Sequence, residues 1–461
     1  MSKNTAQLLL ILWYAMCWSW TLSTDSLSLS GSHTQGIVIA AAVSLVNVTL
    51  STVIMWQGIR FARTLIATRK PIIAIPISVI ILALSDFLVA WLTALIWIGP
   101  QGSFDNILPL GSPTLVLINT PFGFASRIVG FFGLAAFVWL IVILMTNKST
   151  RRPALATTVI LALISVIGWL AYRTPTGTSF TAIIISETLD ERLSALDTSD
   201  SKLVIFPEYG LDSISNKNLP TRLFSKSDKS YFVGSQEQWQ PNEASHRNTL
   251  LFGNTQQGIT QIQNKHRLIP GGEDLPYSVK YIMQATKQNK LLSYFTFHKA
   301  VIKNPSQLQP SKIDSSTSIG AGVCSSITAP QDYRQFTKAG ATVLSNSASL
   351  QVFGGTLVFN RQQKSLGKFM AVANARYFLQ SANGDRAYAL DINGRTIAEE
   401  YAQNSARVTV QNNTRKTPYT VIGEWMVWLG AVVSVSMILS SIFRRPVSTK
   451  GKLTKSQHTK K

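Results

Sequence analysis

A chain of 461 residues, 46% of them hydrophobic, is too long for one ordinary globular domain. The formal net charge of +21 sits largely in short loops and a C-terminal tail. It forms no basic, aromatic-bearing patch, which excludes nucleic acid as the partner and leaves anionic lipid headgroups. Only two cysteines are present, so a disulfide framework is excluded as well.

The apolar residues are concentrated at the two ends. Hydrophobic runs occur at Leu8–Leu22, Gly36–Trp56, Pro71–Ile98, Ile128–Met145, Ala154–Tyr172 and Trp425–Phe443. Each is about long enough to cross a bilayer, the first marginally. That first run is not read as a cleaved signal peptide, because its n-region is weak and Trp13, Tyr14 and Trp18 crowd the apolar stretch. Arg60, Arg63, Arg69 and Lys70 lie between the second and third runs, and Lys148, Arg151 and Arg152 between the fourth and fifth. The tail carries Arg444, Arg445, Lys450, Lys452, Lys455, Lys460 and Lys461, whereas Ser23–Gln35 and Pro100–Pro121 hold no Lys or Arg. The positive-inside rule then places the N-terminus, the basic loops and the tail in the cytoplasm. The polar segment from Arg173 to Thr417 falls outside. The expected organisation is a transmembrane region at 1–172, an extracytoplasmic domain at 173–420, a final membrane helix at 421–443 and a basic cytoplasmic tail at 444–461. The expected location is the plasma or inner membrane.

Within the membrane region, Pro71–Ile98 reads as one tilted helix, and its Asp86 as a packing contact. Gly111–Ala125, with Pro113, Pro121 and Gly123, reads as a re-entrant or interface-hugging segment on the outer side. Gly130 and Gly133 suit a close helix approach.

After Arg173 the period changes. β-type runs are expected at Phe180–Ile185, Leu203–Phe206, Tyr231–Gly234, Thr249–Gly253, Leu292–His298, Ser318–Val323, Ala341–Leu344, Ala387–Asp391 and Val408–Val410. Helices are expected at Gln331–Lys338 and Arg361–Gln380. The class is α/β or α+β. Tyr281-Ile282-Met283 and Leu291–Phe297 are either a membrane-facing arm or core strand.

Three pieces of this domain carry chemistry. Leu203-Val204-Ile205-Phe206-Pro207-Glu208 is a buried strand that stops at a proline and then presents a carboxylate. Lys265 follows the hairpin expected at Thr249–Ile262, and Pro270-Gly271-Gly272-Glu273 adds a turn and a second carboxylate. Cys324 ends the small-residue strand Ser318–Val323. Cys17 lies in an apolar run, so Cys324 has no disulfide partner within the chain and is either a core residue or a reactive thiol. As chemistry the set is coherent. Glu208 takes the Cys324 proton, while Lys265, supported by Glu273, joins the Ser325 backbone N–H in stabilising an oxyanion.

In this order the three pieces resemble the Glu, Lys, Cys triad of the nitrilase (carbon–nitrogen hydrolase) superfamily. The membrane runs make the chain similar to one branch of it, the apolipoprotein N-acyltransferases. Ile205–Glu208 resembles that family's strand ending in Trp-Pro-Glu, and Lys265–Glu273 with Leu275-Pro276 resembles its motif Lys-x-x-Leu-Val-Pro-Phe-Gly-Glu-x-x-Pro. Thr417-Pro418-Tyr419 and Gly423-Glu424-Trp425 resemble its lead into the last membrane helix. Ser325 and Ser326 stand where the family has an aromatic residue and Glu, Gly271 where it has Phe, and Ser345–Leu350 where it has Ser-Asn-Asp-Ala-Trp-Phe.

The resemblance implies an α-β-β-α nitrilase-like sandwich outside the membrane, with Glu208, Lys265, Cys324 and a supporting Glu273 as catalytic residues. The implied activity moves an acyl chain from a phospholipid, through a cysteine thioester, to the N-terminal amine of a diacylglyceryl-cysteine lipoprotein. A Glu at position 326 is then expected to speed that transfer. No cofactor or metal is expected. The alternatives are a membrane-bound amide hydrolase of the same fold, and a non-catalytic homologue that binds lipid or lipoprotein.

Overall fold

The computed structural model describes residues 3–23, 33–146, 148–186, 200–211, 230–240, 245–270, 272–290, 292–293, 308–353, 356–400 and 405–443. The apolar runs of the first part fold as α1 (Lys3–Trp18), α2 (His33–Thr68), α3 (Pro71–Ile96), a short α4 (Thr114–Leu117), α5 (Ser126–Met145) and α6 (Arg151–Tyr172). Among the described residues five stretches are long and apolar enough to cross a membrane: Asn4–Leu22, Ile37–Thr68, Pro71–Ile96, Pro121–Met145 and Arg151–Tyr172. α2 differs from expectation. Its 36 residues span about 54 Å, well beyond a hydrocarbon core of about 30 Å. Arg60 and Arg63 therefore ride on a helix that continues past its apolar part instead of lying in a loop.

Asp86 has named partners: Ser112 Oγ donates to it at 2.6 Å and Trp139 Nε1 at 3.2 Å, so the packing role holds. The segment expected to hug the interface is wedged against the polar domain, where Gly111 N donates to Gln362 and Asn119 Nδ2 to Ser365. Gly130 (φ +76°) and Gly133 make the close approach. A Cβ on Gly130 would meet the Glu424 carboxylate at 2.6 Å, and one on Gly133 would meet Met426 Sδ at 2.7 Å.

The polar domain is built on two six-stranded sheets. The first runs β12 (Ser405–Gln411), β1 (Ser179–Ile185), β2 (Leu203–Ile205), β3 (Tyr231–Gln240), β4 (Ser245–Asn254), β5 (Gly258–Asn264). The second runs β11 (Thr396–Glu400), β10 (Ala387–Leu390), β9 (Tyr377–Asn383), β8 (Val343–Ser349), β7 (Ser318–Val323), β6 (Ser311–Lys312). In each sheet three central strands are parallel and the outer pairs antiparallel. Ala182, Ile184, Leu203 and Ile205 of the first sheet and Ile319, Ala321, Val323 and Leu379 of the second share one buried cluster, so the sheets pack face to face. This follows from the sequence. Parallel strands buried on both faces read as unbroken Val/Ile/Leu runs, whereas edge strand β12 alternates exposed and buried residues.

The helices α7 (Tyr277–Ala285), α8 (Pro330–Lys338), α9 (Leu357–Asn374), α10 (Pro418–Ile422) and α11 (Trp425–Phe443) complete the chain. α8 and α9 cover the outer face of the second sheet. Residues 187–199 after β1 and 212–229 after β2 lie outside the described ones, as do most of Leu292–His298 and the tail from 444.

The two halves share one core. Phe131 of α5 and Phe369 of α9, both fully buried, meet at 4.9 Å between ring centroids, and each such side chain contributes about 1.5–3 kcal/mol on burial. Arg127, at the start of α5, donates to Val372 O at 3.0 Å, Gly168 O at 3.0 Å and Ile392 O at 2.5 Å, knitting α5, α6 and α9 together. Trp20, just past α1, packs on Phe353 and Phe359. The end of α3 carries Tyr277 N on Ile98 O, and Tyr172 of α6 donates to Lys416 O. Every one of these helix ends lies away from the basic segments at 60–70 and 148–152.

Two expected elements shift. The helix expected over Arg361–Gln380 ends at Asn374, because Ala375 turns left-handed at φ +51° and Arg376 buries its guanidinium on the carbonyls of Ala341, Asn374, Ala375 and Arg415. β9 follows at once. No glycine marks the turn, so nothing local announces it. Tyr281-Ile282-Met283 lies on α7, not on a core strand, with Tyr281 and Ile282 exposed and Met283 buried.

Candidate active site

Cys324 follows the last residue of β7 at φ +44°, a left-handed conformation that costs a non-glycine residue energy and persists only where its surroundings hold it. They do. Ser326 Oγ accepts Val323 N–H at 3.2 Å. Asn346 Nδ2 donates to Cys324 O at 3.4 Å, while its Oδ1 accepts Tyr333 OH at 2.9 Å. Ser325 Oγ donates to Arg267 O. The turn Cys324–Thr328 is a 3-10 helix, and the Ser325 amide lies in its first turn, where the helix itself supplies no acceptor.

The thiol is buried and donates to Ser349 O at 3.7 Å, with the Glu208 carboxylate near enough to act on its charge. Burial first, and Glu208 second, push it well above the ordinary thiol range. The resting sulfur is therefore neutral, and becomes a nucleophile only as its proton leaves.

Glu208 follows Phe206 and Pro207, which carry the chain past the end of β2 toward the second sheet. Its backbone N–H donates to Ala348 O at 3.2 Å, and its carbonyl accepts Asn383 Nδ2 at 2.7 Å. Oε1 accepts Asn248 Nδ2 at 2.7 Å and Lys265 Nζ at 2.9 Å, and Oε2 accepts Ser349 N–H at 3.1 Å. Lys265 follows β5 directly, its amide on Asn248 O at 2.7 Å. Its ammonium, fully buried, also donates to Glu273 Oε1 at 2.7 Å. Burial opposes that charge, but the two carboxylates win and hold it well above the ordinary lysine range. Two of its three N–H donors are so engaged. Glu273 is set by the tight turn after Ile269, whose N–H donates to Oε2 at 2.9 Å. Burial, and then Glu208, push its pKa up against the pull of Lys265.

Glu208, Lys265, Glu273 and Cys324, apart in sequence and drawn from both sheets, thus converge in one buried site at strand ends.

No family model and no curated protein matches the chain. Solved structures similar to it include a Saccharomyces cerevisiae member of branch 10 of the nitrilase superfamily, at 14% identity over 51% of this chain and 91% of that one, with a TM-score of 0.37. A carbon–nitrogen hydrolase from Helicobacter pylori is similar at 10% identity over 60% and 99%, TM-score 0.39. An amidase mutant from Nesterenkonia sp., in which acrylamide has added to the active-site cysteine, is similar at 11% identity over 55% and 99%, TM-score 0.37.

Several contributors lie beyond the sequence reading. Asn248 and the backbone of Ser349 orient Glu208, and Asn346 holds the Cys324 carbonyl. The only local signal for Asn248 is a polar residue beside a strand. Ser345–Leu350 was marked by resemblance, but its work here is done partly by main chain. Ser326 has a structural role in the turn. Its hydroxyl closes the turn on Val323, and the residue is only 4% exposed, its Cβ 2.8 Å from where a Cβ on Gly322 would stand.

Proposed function

We propose that this protein is a membrane-bound member of the nitrilase superfamily that transfers an acyl chain from a phospholipid, through a Cys324 thioester, to the N-terminal amine of a diacylglyceryl-cysteine lipoprotein. The observation that carries the reading is the convergence of a strained cysteine with a buried carboxylate–lysine pair, with the domain seated on the ends of apolar helices. Both parts are needed, because a lipid donor has to be met at the bilayer surface. The domain lies on the extracytoplasmic side of the plasma or inner membrane, since the helix ends it touches are those away from the basic segments.

In the first half-reaction Cys324 sulfur bonds to the donor's ester carbonyl carbon while its proton passes to Glu208. The carbonyl oxygen takes up negative charge between Lys265 Nζ and the Ser325 amide. The bond to the glycerol oxygen then breaks, Glu208 returns the proton to that oxygen, and a lysophospholipid leaves. In the second, a neutral amine attacks the thioester carbon and Glu208 accepts an amine proton. The C–S bond then breaks, and the proton returns to sulfur. Glu273 keeps Lys265 placed and charged throughout.

Intact-mass spectrometry tests this. Incubation with a phospholipid of defined chains adds one acyl mass to the wild type and none to Cys324→Ala, and a diacylglyceryl-cysteine peptide then removes it as N-acyl peptide. Removal as free fatty acid alone, with the peptide unchanged, assigns the protein to hydrolysis. A folded wild type that never gains the mass refutes the enzymatic reading.

A further inference from the structure

Arg267 is two residues beyond Lys265 and buried, yet it is no part of the acid–base chemistry above. Its guanidinium uses all five N–H donors. Nε donates to Asp332 Oδ2 at 2.7 Å and Nη2 to Asp332 Oδ1. Nη1 and Nη2 donate to the two carboxylate oxygens of Asp105 at 3.0 and 2.9 Å, and Nη1 also to Asn106 Oδ1. Asp332 stands in the first turn of α8, just past the nucleophile turn, and also contacts His266 Nδ1 at 3.1 Å. Asp105 and Asn106 come from the connection after α3. That connection is fastened back to α3 by Trp91 Nε1 on Phe104 O at 2.6 Å and by Leu108 N on Ala90 O at 2.9 Å. It is fastened to α8 by Gln331 Nε2 on Asp105 O at 2.9 Å.

Both groups assigned to the oxyanion depend on this residue. Lys265 is two positions away on the same segment, and Ser325 is held by the Arg267 carbonyl. We infer that Arg267 is a positioning residue through which the outer end of membrane helix α3 sets the geometry of the Lys265 and Ser325 donors. The inference rests on the proposed cysteine chemistry and adds that the membrane region is a working part of the site. A guanidinium held by two carboxylates from separate segments has one placement, and moving either segment moves it. Lysine cannot replace it, having three donors and no fork.

Two probes of Cys324 separate positioning from mere folding. Alkylation by iodoacetamide forms a C–S bond, expels iodide, passes the thiol proton to Glu208 and needs no oxyanion donor. Acylation by a p-nitrophenyl ester forms the thioester, expels p-nitrophenolate and does need them. The full-length protein in detergent is assayed with each, by intact mass and by absorbance. Arg267→Lys is expected to slow acylation about tenfold to a hundredfold, as for a misplacement on the order of 1 Å. Asp105→Asn, whose side chain is 54% exposed, is expected to slow it about threefold to tenfold, with Asp105→Glu recovering most of the loss. Alkylation is expected to stay within about twofold in all three. Acylation at the wild-type rate in Arg267→Lys and Asp105→Asn, or a parallel loss of both reactions, overturns the inference while leaving the cysteine chemistry standing. A wild-type Cys324 that takes neither probe overturns both.

Discussion

Lys265→Met tests the heart of the site, because it has two separable consequences. The side chain is fully buried, and its removal strips a cation from Glu208 and Glu273, whose side chains are 2% and 9% exposed. Glu208 keeps Asn248 and the Ser349 amide, whereas Glu273 keeps only the Ile269 amide among the contacts described above. Breaking a buried pair from one side costs about 3–5 kcal/mol. Glu273 can escape by taking a proton. From its ordinary value of 4.5, doing so at pH 7 costs at most about 3.4 kcal/mol at 1.36 kcal/mol per pH unit. The expected loss at pH 7 is therefore about 3 kcal/mol, or a Tm lower by roughly 6–12 °C for a domain of this size. A carboxylate whose folded pKa is raised is destabilising above that pKa and is relieved as the pH falls toward 4.5, so the Tm deficit should shrink on acidification. Glu273→Gln in the Lys265→Met background should recover most of the stability at pH 7. It should not recover the rate. Loss of one oxyanion donor is worth about a hundred- to a thousandfold, and thioester formation on Cys324 should fall by that amount in both variants. Calorimetry across pH 5–8 and intact-mass kinetics read the two effects. An unchanged Tm refutes the buried cluster, and acylation within about tenfold of wild type refutes the oxyanion role.

Three further outcomes are expected. Ser326→Glu should lower Tm and slow transfer, since it opens the hydrogen bond to Val323 and buries a carboxylate; a faster transfer to the lipopeptide would contradict the packing described. A cysteine at Gln284, on exposed α7, should react with a membrane-impermeant maleimide in intact cells and one at Ser456 should not, with the opposite pattern overturning the orientation. Although burial opposes it, Arg267 holds the Asp332 carboxyl below its ordinary 3.8. Its stabilisation is present above that value and is lost as the pH falls through the lower folded pKa. Asp332→Asn should therefore be less stable at pH 7 and show a flatter acid limb below about pH 4; parallel Tm curves from pH 2 to 7 would count against the pairing.

Much of this protein is written in local pattern. Apolar runs of membrane length, basic segments alternating with charge-poor ones, and strands that stop at Pro207 before Glu208 or at Cys324 after small residues are matters of composition and period, and a linear reading finds them. The Thr249–Ile262 hairpin and the Gln331–Lys338 helix were legible for the same reason. What a linear reading misses depends on register and on what lies opposite. α9 stops at Ala375 because Arg376 finds buried carbonyls, not because a glycine breaks the helix. Asn248 reaches Glu208 from β4, two strands across the same sheet, whereas the Ser349 backbone reaches it from the second sheet packed face to face on the first. Asp105 meets Arg267 across 162 residues, joining the connection after α3 to the segment that carries Lys265. Residue types announce which chemistry the chain can perform, but only the packing of one sheet on the other, and of both on the helices, decides which side chains share a proton. Burial is what makes that decision binding, because a charged group sealed from water has to find its partner within the fold.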